Sequence, residues 1–262
     1  MKKLLILLLL LGHQIFACSC FPTSLLDLTA KADFIATATI LEINQDLENT
    51  DFHTVQIDII ELFKGSETTT IKIRSNSNSS CSFYTPKNTK WLIFATKNKS
   101  RELTFGYCSG SKQLDRKFDS KRYTQEELDK ASRNHKNSLE LKLRFIKYLR
   151  DHKIEPSNKF NLKTYFIDDC LKKLRGVVVK GERFALYELT VKTNLAIEKV
   201  ETLKGFNHPE LNLNLVACIK NGAIIHRTQE EKTIPRKTKI LLGLYYYPSK
   251  REYESFISNN AL

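Results

Sequence analysis

The chain has 262 residues, 41% of them apolar, with 42 Lys and Arg against 29 Asp and Glu and a formal charge of +13. That apolar share fills ordinary cores, and the length suits one large domain or two small ones. The positive balance favours acidic glycans or an anionic surface as partners, or is simply a Lys-rich solvated surface; no nucleic-acid-binding motif appears, which argues against nucleic acid.

Lys2 and Lys3 precede the unbroken apolar run Leu4 to Leu11, Gly12 ends it, and Ala17 is a small residue at a cleavage position before Cys18. This is the pattern of a secretory signal over residues 1–17, with an uncleaved N-terminal anchor as the alternative. The run is shorter than the roughly 20 residues a spanning helix needs, and no second long apolar segment follows. The mature chain is therefore expected to be secreted or extracytoplasmic (periplasm or cell surface in a bacterium), without a transmembrane segment. Ile15-Phe16-Ala17-Cys18 also resembles the bacterial lipobox, although Phe16 is bulkier than that motif carries. In that form the chain would be a lipoprotein, anchored by acylation of Cys18.

All six cysteines, Cys18, Cys20, Cys81, Cys108, Cys170 and Cys218, follow the signal. An even count in an oxidising compartment favours three disulfides, and composition leaves all fifteen pairings open. A zinc site would want several close Cys or His pairs, and Cys18 with Cys20 is the only close cysteine pair.

From Asp33 to Tyr107 the pattern is strand. Phe34 to Leu41 is β-branched and long, Val55 to Ile59 alternates apolar with polar and runs on to Lys64-Gly65, and Thr69 to Ile73 repeats the alternation. Ser75 to Ser80 is a polar loop leading to Cys81. Pro86 to Thr89 reads as a turn, Trp91 to Ala95 as a buried strand and Leu103 to Cys108 as one more. Five short strands suggest a small Greek-key barrel of the OB type, and hence a mainly β fold with flanking helices (α+β). Thr124 and Glu127 then make a capping box opening a helix that runs to about Lys153. Its stripe Leu139, Leu143, Ile146 and Leu149 is expected to pack on the barrel as core. Glu155 to Asn158 reads as a linker, dividing the chain into a first domain over 18–154 and a second, β-rich one over 155–262.

The second part echoes the first. Ile59 to Gly65 compares with Lys199 to Gly205, the strand Thr70 to Arg74 with Leu211 to Leu215, Cys81 with Cys218, and the strand led by Lys90 with that led by Lys239. The three offsets counted from Lys64, Cys81 and Lys90 are 140, 137 and 149 residues, a drift that loops would absorb in a duplicated unit. On this reading Cys170 pairs with Cys218 inside the second unit.

The segment Cys18-Ser19-Cys20-Phe21-Pro22 followed by Ala32-Asp33-Phe34-Ile35 resembles the start of the tissue inhibitors of metalloproteinases, which carry a netrin-like (NTR) barrel. The likeness continues through Phe63-Lys64-Gly65, Cys81, the Trp91 strand and Cys108, about ninety residues in all. It implies disulfides Cys18–Cys81 and Cys20–Cys108, closing loops of 63 and 88 residues, each contributing roughly 4 kcal/mol in the chain-entropy model. The family's third cysteine here would fall at Ala30, and no cysteine between Ser109 and Asp169 is left to partner it.

The resemblance also implies a mechanism. The free α-amine and carbonyl of Cys18 would chelate the catalytic zinc of a metalloprotease and displace its water. Ser19 would enter the pocket beside that metal, and Phe21 and Pro22 would continue along the cleft. The alternative is a non-inhibitory binding or adhesion module in which Cys18 and Cys20 are two barrel staples, with or without the lipid.

Nothing points to an enzyme or to a cofactor. The six histidines, His13 through His226, are scattered without metal-ligand spacing, and Asp168-Asp169 beside Cys170 reads as a solvated helix end. Asn78-Ser79-Ser80 and Asn98-Lys99-Ser100 are glycosylation sequons.

Overall fold

The computed structural model describes residues 18–260 apart from Pro22, 47–48, 77–78, Arg122, 167–169, 228–232 and 251–252. Residues 1–17, expected above to be a signal, with Pro22, Asn78 and the Asp168-Asp169 pair thus lie outside the described residues. Within them the protein is mainly β, with three helices.

Five strands close on themselves: β1 (Phe34–Gln45), β2 (Phe52–Lys64), β3 (Thr70–Arg74), β4 (Lys90–Lys97) and β5 (Leu103–Gly106). Their order is β1-β2-β3-β5-β4, and β4 returns to β1 with Phe34 opposite Ala95 and Thr39 opposite Lys90. All these pairings are antiparallel except β3 with β5, which run parallel. A short β6 (Lys112–Gln113) adds to β4.

Strand pleating sends alternate side chains inward. Phe34, Ala36, Ala38, Ile40, Val55, Ile57, Ile71, Ile73, Trp91, Ile93, Ala95 and Phe105 fill the interior, the alanines leaving room for the large rings. The outward set of β1 and β4 is apolar as well, because Ile35, Leu92 and Phe94 meet a helix. Two buried faces explain why 34–38 and 91–95 read as unbroken apolar runs. β2 stops at Gly65, whose φ of +92° and approach to the Asp33 carbonyl (2.6 Å from an added Cβ) admit only glycine.

The helix α1 (Leu25–Lys31) is capped at its start by the Ser24 side chain, which accepts from the Asp27 N–H. At its other end Lys64 donates to the Thr29 and Ala30 carbonyls (2.8 and 3.3 Å). The helix α2 (Gln125–Asp151) opens on the Thr124–Glu127 capping box. Leu139, Ile146 and Leu149 of the expected stripe are buried, Leu143 only in part, and Leu141 and Phe145 join them. That wider stripe has a cause, for α2 packs on the barrel on one side and on the second sheet on the other. Phe145 meets Phe184 at 5.1 Å and Tyr245 at 5.5 Å between ring centroids.

The second sheet is open and antiparallel, built from β8 (Phe184–Val191), β9 (Ile197–Lys204), β11 (Thr238–Tyr247) and β12 (Phe256–Ser258) in the order β12-β11-β8-β9. A ribbon of β7 (Leu162–Phe166) and β10 (Ala223–Arg227) lies beside it. The order β9-β8-β11-β12 follows β2-β1-β4-β5 of the barrel in sequence and sense. The closing strand is where they part.

Leu211 to Leu215, expected as the counterpart of β3, is instead helical, inside α3 (Pro209–Gly222). His208 caps it, Pro209 occupies its first turn, and Leu211, Leu215, Cys218, Ile219 and Gly222 form its buried face. The Leu-Asn-Leu-Asn-Leu run fits a period of two, but Leu213 is 72% exposed, which a strand with that alternation would not allow. The second unit therefore does not repeat the barrel's closure.

Candidate functional site

Three disulfides form: Cys18–Cys81, Cys20–Cys108 and Cys170–Cys218, with Cα separations of 5.0, 5.4 and 5.6 Å. Every cysteine thiol is consumed, so none is left as a nucleophile or metal ligand.

The first two bridges hold the segment 18–21 against one end of the barrel. Cys81 lies in the loop after β3, where Phe83 donates its N–H to the Ser75 carbonyl at 2.8 Å. The Phe83 ring caps the interior against Trp91 (5.5 Å) and Phe105 (5.9 Å). Cys108 follows β5 in a turn where Ser109 N–H donates to the Gly106 carbonyl. Ser111 fixes the far side of that turn, its hydroxyl accepting from Phe94 N–H and donating to the Phe94 carbonyl.

The segment itself has no regular structure, and among the described residues no backbone hydrogen bond ties 18–21 to the barrel. It is held at Cys18 and Cys20 by sulfur, and from Leu25 onward by the buried face of α1. Between these pins Ser19 and Cys20 are exposed, and the Phe21 ring is 95% exposed. The structure thus presents Cys18, Ser19, Cys20 and Phe21 as one edge bridged to two loops of the barrel.

The described histidines stay apart. His135 Nε2 donates to the Gln113 carbonyl at 2.8 Å, His152 Nδ1 contacts the Tyr148 carbonyl, His208 caps α3 and His226 meets the Tyr165 ring. His53 is buried on β2 with Nε2 unpartnered, and burial pushes its pKa down. Among the described residues no group of three His, Cys, Asp or Glu side chains is placed to hold a metal ion.

Behind the edge, a cavity of about 800 Å³ runs from Phe21 past Leu26 and Leu242 to Tyr245 and Ile257. Its wall holds a polar cluster that sequence reasoning missed. Buried Asp27 pairs with Lys163 and accepts from Asn158 Nδ2 at 3.2 Å, joining α1 to the stretch expected to be a linker. Burial works to raise the Asp27 pKa, but the hydrogen bonds from Lys163 and Asn158 outweigh it and hold the carboxyl below its usual range. Asn158 also brackets Leu162, donating to its carbonyl and accepting from its N–H. These partners lie more than a hundred residues apart, so no local signal marks them.

No protein-family model matches the chain, and no curated protein matches it.

Proposed function

We propose that this is an exported, disulfide-stapled binding protein of the netrin-like type that inhibits zinc metalloproteases through the α-amine and carbonyl of Cys18. The observation that carries the reading is the exposed edge Cys18-Ser19-Cys20-Phe21, tethered by two disulfides to loops at one end of a closed barrel. Such pinning lowers the entropy lost when an extended segment enters a cleft. The five-strand order with parallel β3 and β5 supports an OB-type barrel, and the bridges to the loops after β3 and β5 support the netrin-like assignment. The shared order β9-β8-β11-β12 favours the second unit as a degenerate relative that kept four strands and lost the closing one.

After cleavage behind Ala17, the Cys18 amine would have a reference pKa near 8, and its neutral fraction would be the metal ligand. The partner's zinc would exchange its water for that nitrogen and the Cys18 carbonyl. A diacylglyceryl anchor would need the Cys18 sulfur as a thioether, whereas here that sulfur is bonded to Cys81, which favours the free-amine form. Three disulfides fit an oxidising, extracytoplasmic compartment. No helix among the described residues is long and apolar enough to cross a membrane.

The test is inhibition of a metzincin-type endopeptidase catalytic domain by the chain starting at Cys18, beside the same chain with one alanine added before Cys18. Inhibition that disappears on extension is the expected result. Inhibition that survives the extension, or an acyl group on Cys18 in the mass spectrum of the exported protein, refutes the mechanism.

A further inference from the structure

The cavity of about 800 Å³ lies between α1 and the second sheet. Its size is that of a small-molecule site, and such sites favour the seam between two folded units. Leu26 of α1, Leu162 of β7 and Leu242 and Ile257 of the second sheet are buried and give it an apolar interior, with Phe166 and Leu171 beside them. Tyr245 lines it too, and burial pushes the pKa of its hydroxyl up, so this end carries no charge at neutral pH. A smaller hollow of about 230 Å³ adjoins the cavity. It shares Asp27, Ala30, Lys31 and residues 156–158 with the larger one, and adds Lys159 and Asn161. One end of the combined space is thus apolar and the other polar.

The charges at the polar end have one sign in excess. Among the described residues Asp27 is the one carboxylate on the walls of either hollow, and it shares those walls with Lys31, Lys159 and Lys163. Lys163 is spent on Asp27, in a pair that Asn158 holds from a second side. Lys31 stands one turn beyond Asp27 on the same face of α1, and neither it nor Lys159 makes a salt bridge among the described residues. Two positive charges are therefore left uncompensated beside an apolar interior. A buried ion pair adds little stability over an apolar pair of the same size, so stability alone does not account for Asp27 and Lys163. They mark the border between the two ends, next to the Leu162 backbone that Asn158 brackets.

We propose that the two hollows form one binding site for an amphiphile with a single apolar chain and an anionic head. The chain lies between Leu26, Leu162, Leu242 and Ile257, and the head is held by Lys31 and Lys159. A cationic ligand would meet like charge at the polar end, and a bare anion would leave the apolar end unfilled. The site goes beyond the metalloprotease reading and does not depend on it, since none of these residues belongs to the chelating edge.

The experiment is titration calorimetry of the full mature chain with dodecyl phosphate below its micelle-forming concentration, and one-to-one binding is expected. Octyl phosphate, four methylenes shorter, should bind at least about tenfold more weakly, because each buried methylene is worth about fourfold. Inorganic phosphate and dodecyltrimethylammonium should each bind at least about a hundredfold more weakly than dodecyl phosphate. The double variant Lys31→Gln/Lys159→Gln should raise the Kd about tenfold, while Lys87→Gln, an exposed lysine outside both hollows, should leave it within twofold. Ala30→Phe, which fills the wall common to the two hollows, should also weaken binding at least about tenfold. Denaturation midpoints show that each variant is folded, and the double lysine variant changes only exposed side chains. The inference is overturned if the unaltered chain does not bind dodecyl phosphate one-to-one, or binds dodecyltrimethylammonium or inorganic phosphate within threefold of it. It is equally overturned if the folded double lysine variant binds as the unaltered chain does.

Discussion

On the proposed inhibitory reading the Cys20–Cys108 bridge serves both stability and the edge, and comparing it with Cys170–Cys218 separates the two roles. Replacing Cys20 and Cys108 by alanine opens a loop of 88 residues, and replacing Cys170 and Cys218 opens one of 48. In the chain-entropy model the bridges constrain the unfolded chain by about 4.6 and about 4.1 kcal/mol, nearly equal upper values. Both double variants should therefore lose comparable stability, about 4 kcal/mol, read as a fall in the denaturant midpoint. Their effects on the site should differ. Without Cys20–Cys108 the residues up to Phe21 keep one covalent tether, and among the described residues no backbone hydrogen bond replaces the other. Cys170–Cys218 lies in the second unit, fixing the stretch after β7 to α3. Inhibition measured at 25 °C, with both variants folded, should weaken tenfold or more for the first and stay within twofold for the second. Equal loss of inhibition in the two would refute the idea that local tethering sets the edge.

Three ionisable groups give further tests. His53 has its folded pKa held below 6.5 by burial, so the unfolded chain binds the extra proton first. The stability this costs appears as pH falls through 6.5 toward the folded value and is absent above it; His53→Phe should flatten that acid slope in denaturation midpoints measured from pH 7 to 5. Asp27 has a lowered folded pKa, so its contribution is present above about pH 4 and is lost as pH falls through the folded value. Asp27→Ala leaves the Lys163 ammonium half-buried without its partner and should cost about 2 kcal/mol at pH 7, less than a fully buried pair because Lys163 reaches water. Lys142 is pushed down to about 8 by burial and by nearby Lys112. Under competitive acylation followed by peptide mass spectrometry, its labelling should rise with an inflection near pH 8, and Lys112→Gln should move that inflection upward.

The barrel was legible because each strand carries its own signal. Val55 to Ile59 and Thr70 to Arg74 alternate, Phe34 and Trp91 open runs buried on both faces, and Thr124 with Glu127 marks the start of α2 chemically. The seven residues of α1 are too few for periodicity to show, and only the Ser24 cap distinguishes them. Leu211 to Leu215 satisfies two periods at once, and the choice fell to packing, through Leu215, Cys218 and Ile219 on one buried face. The edge residues stood out as a motif.

The second unit bears on how much of this chain is needed for a stable edge. Phe145, Tyr148, Phe184 and Tyr245 form three ring contacts between α2 and the second sheet, with centroids 5.1 to 5.6 Å apart. Those pairs are worth about 3 kcal/mol together, before any area is counted. Ending the chain after Ile154 would also expose buried Phe145 and take Lys163 away from Asp27. The barrel and α2 alone, residues 18–154, should accordingly unfold at a lower denaturant concentration than the full mature chain and bind a hydrophobic dye that the full chain excludes. The bridges at Cys81 and Cys108 lie within this piece, so wherever it stays folded its edge should still inhibit. An unchanged midpoint would mean that α2 draws its stability from the barrel alone and that the second sheet merely rests against it.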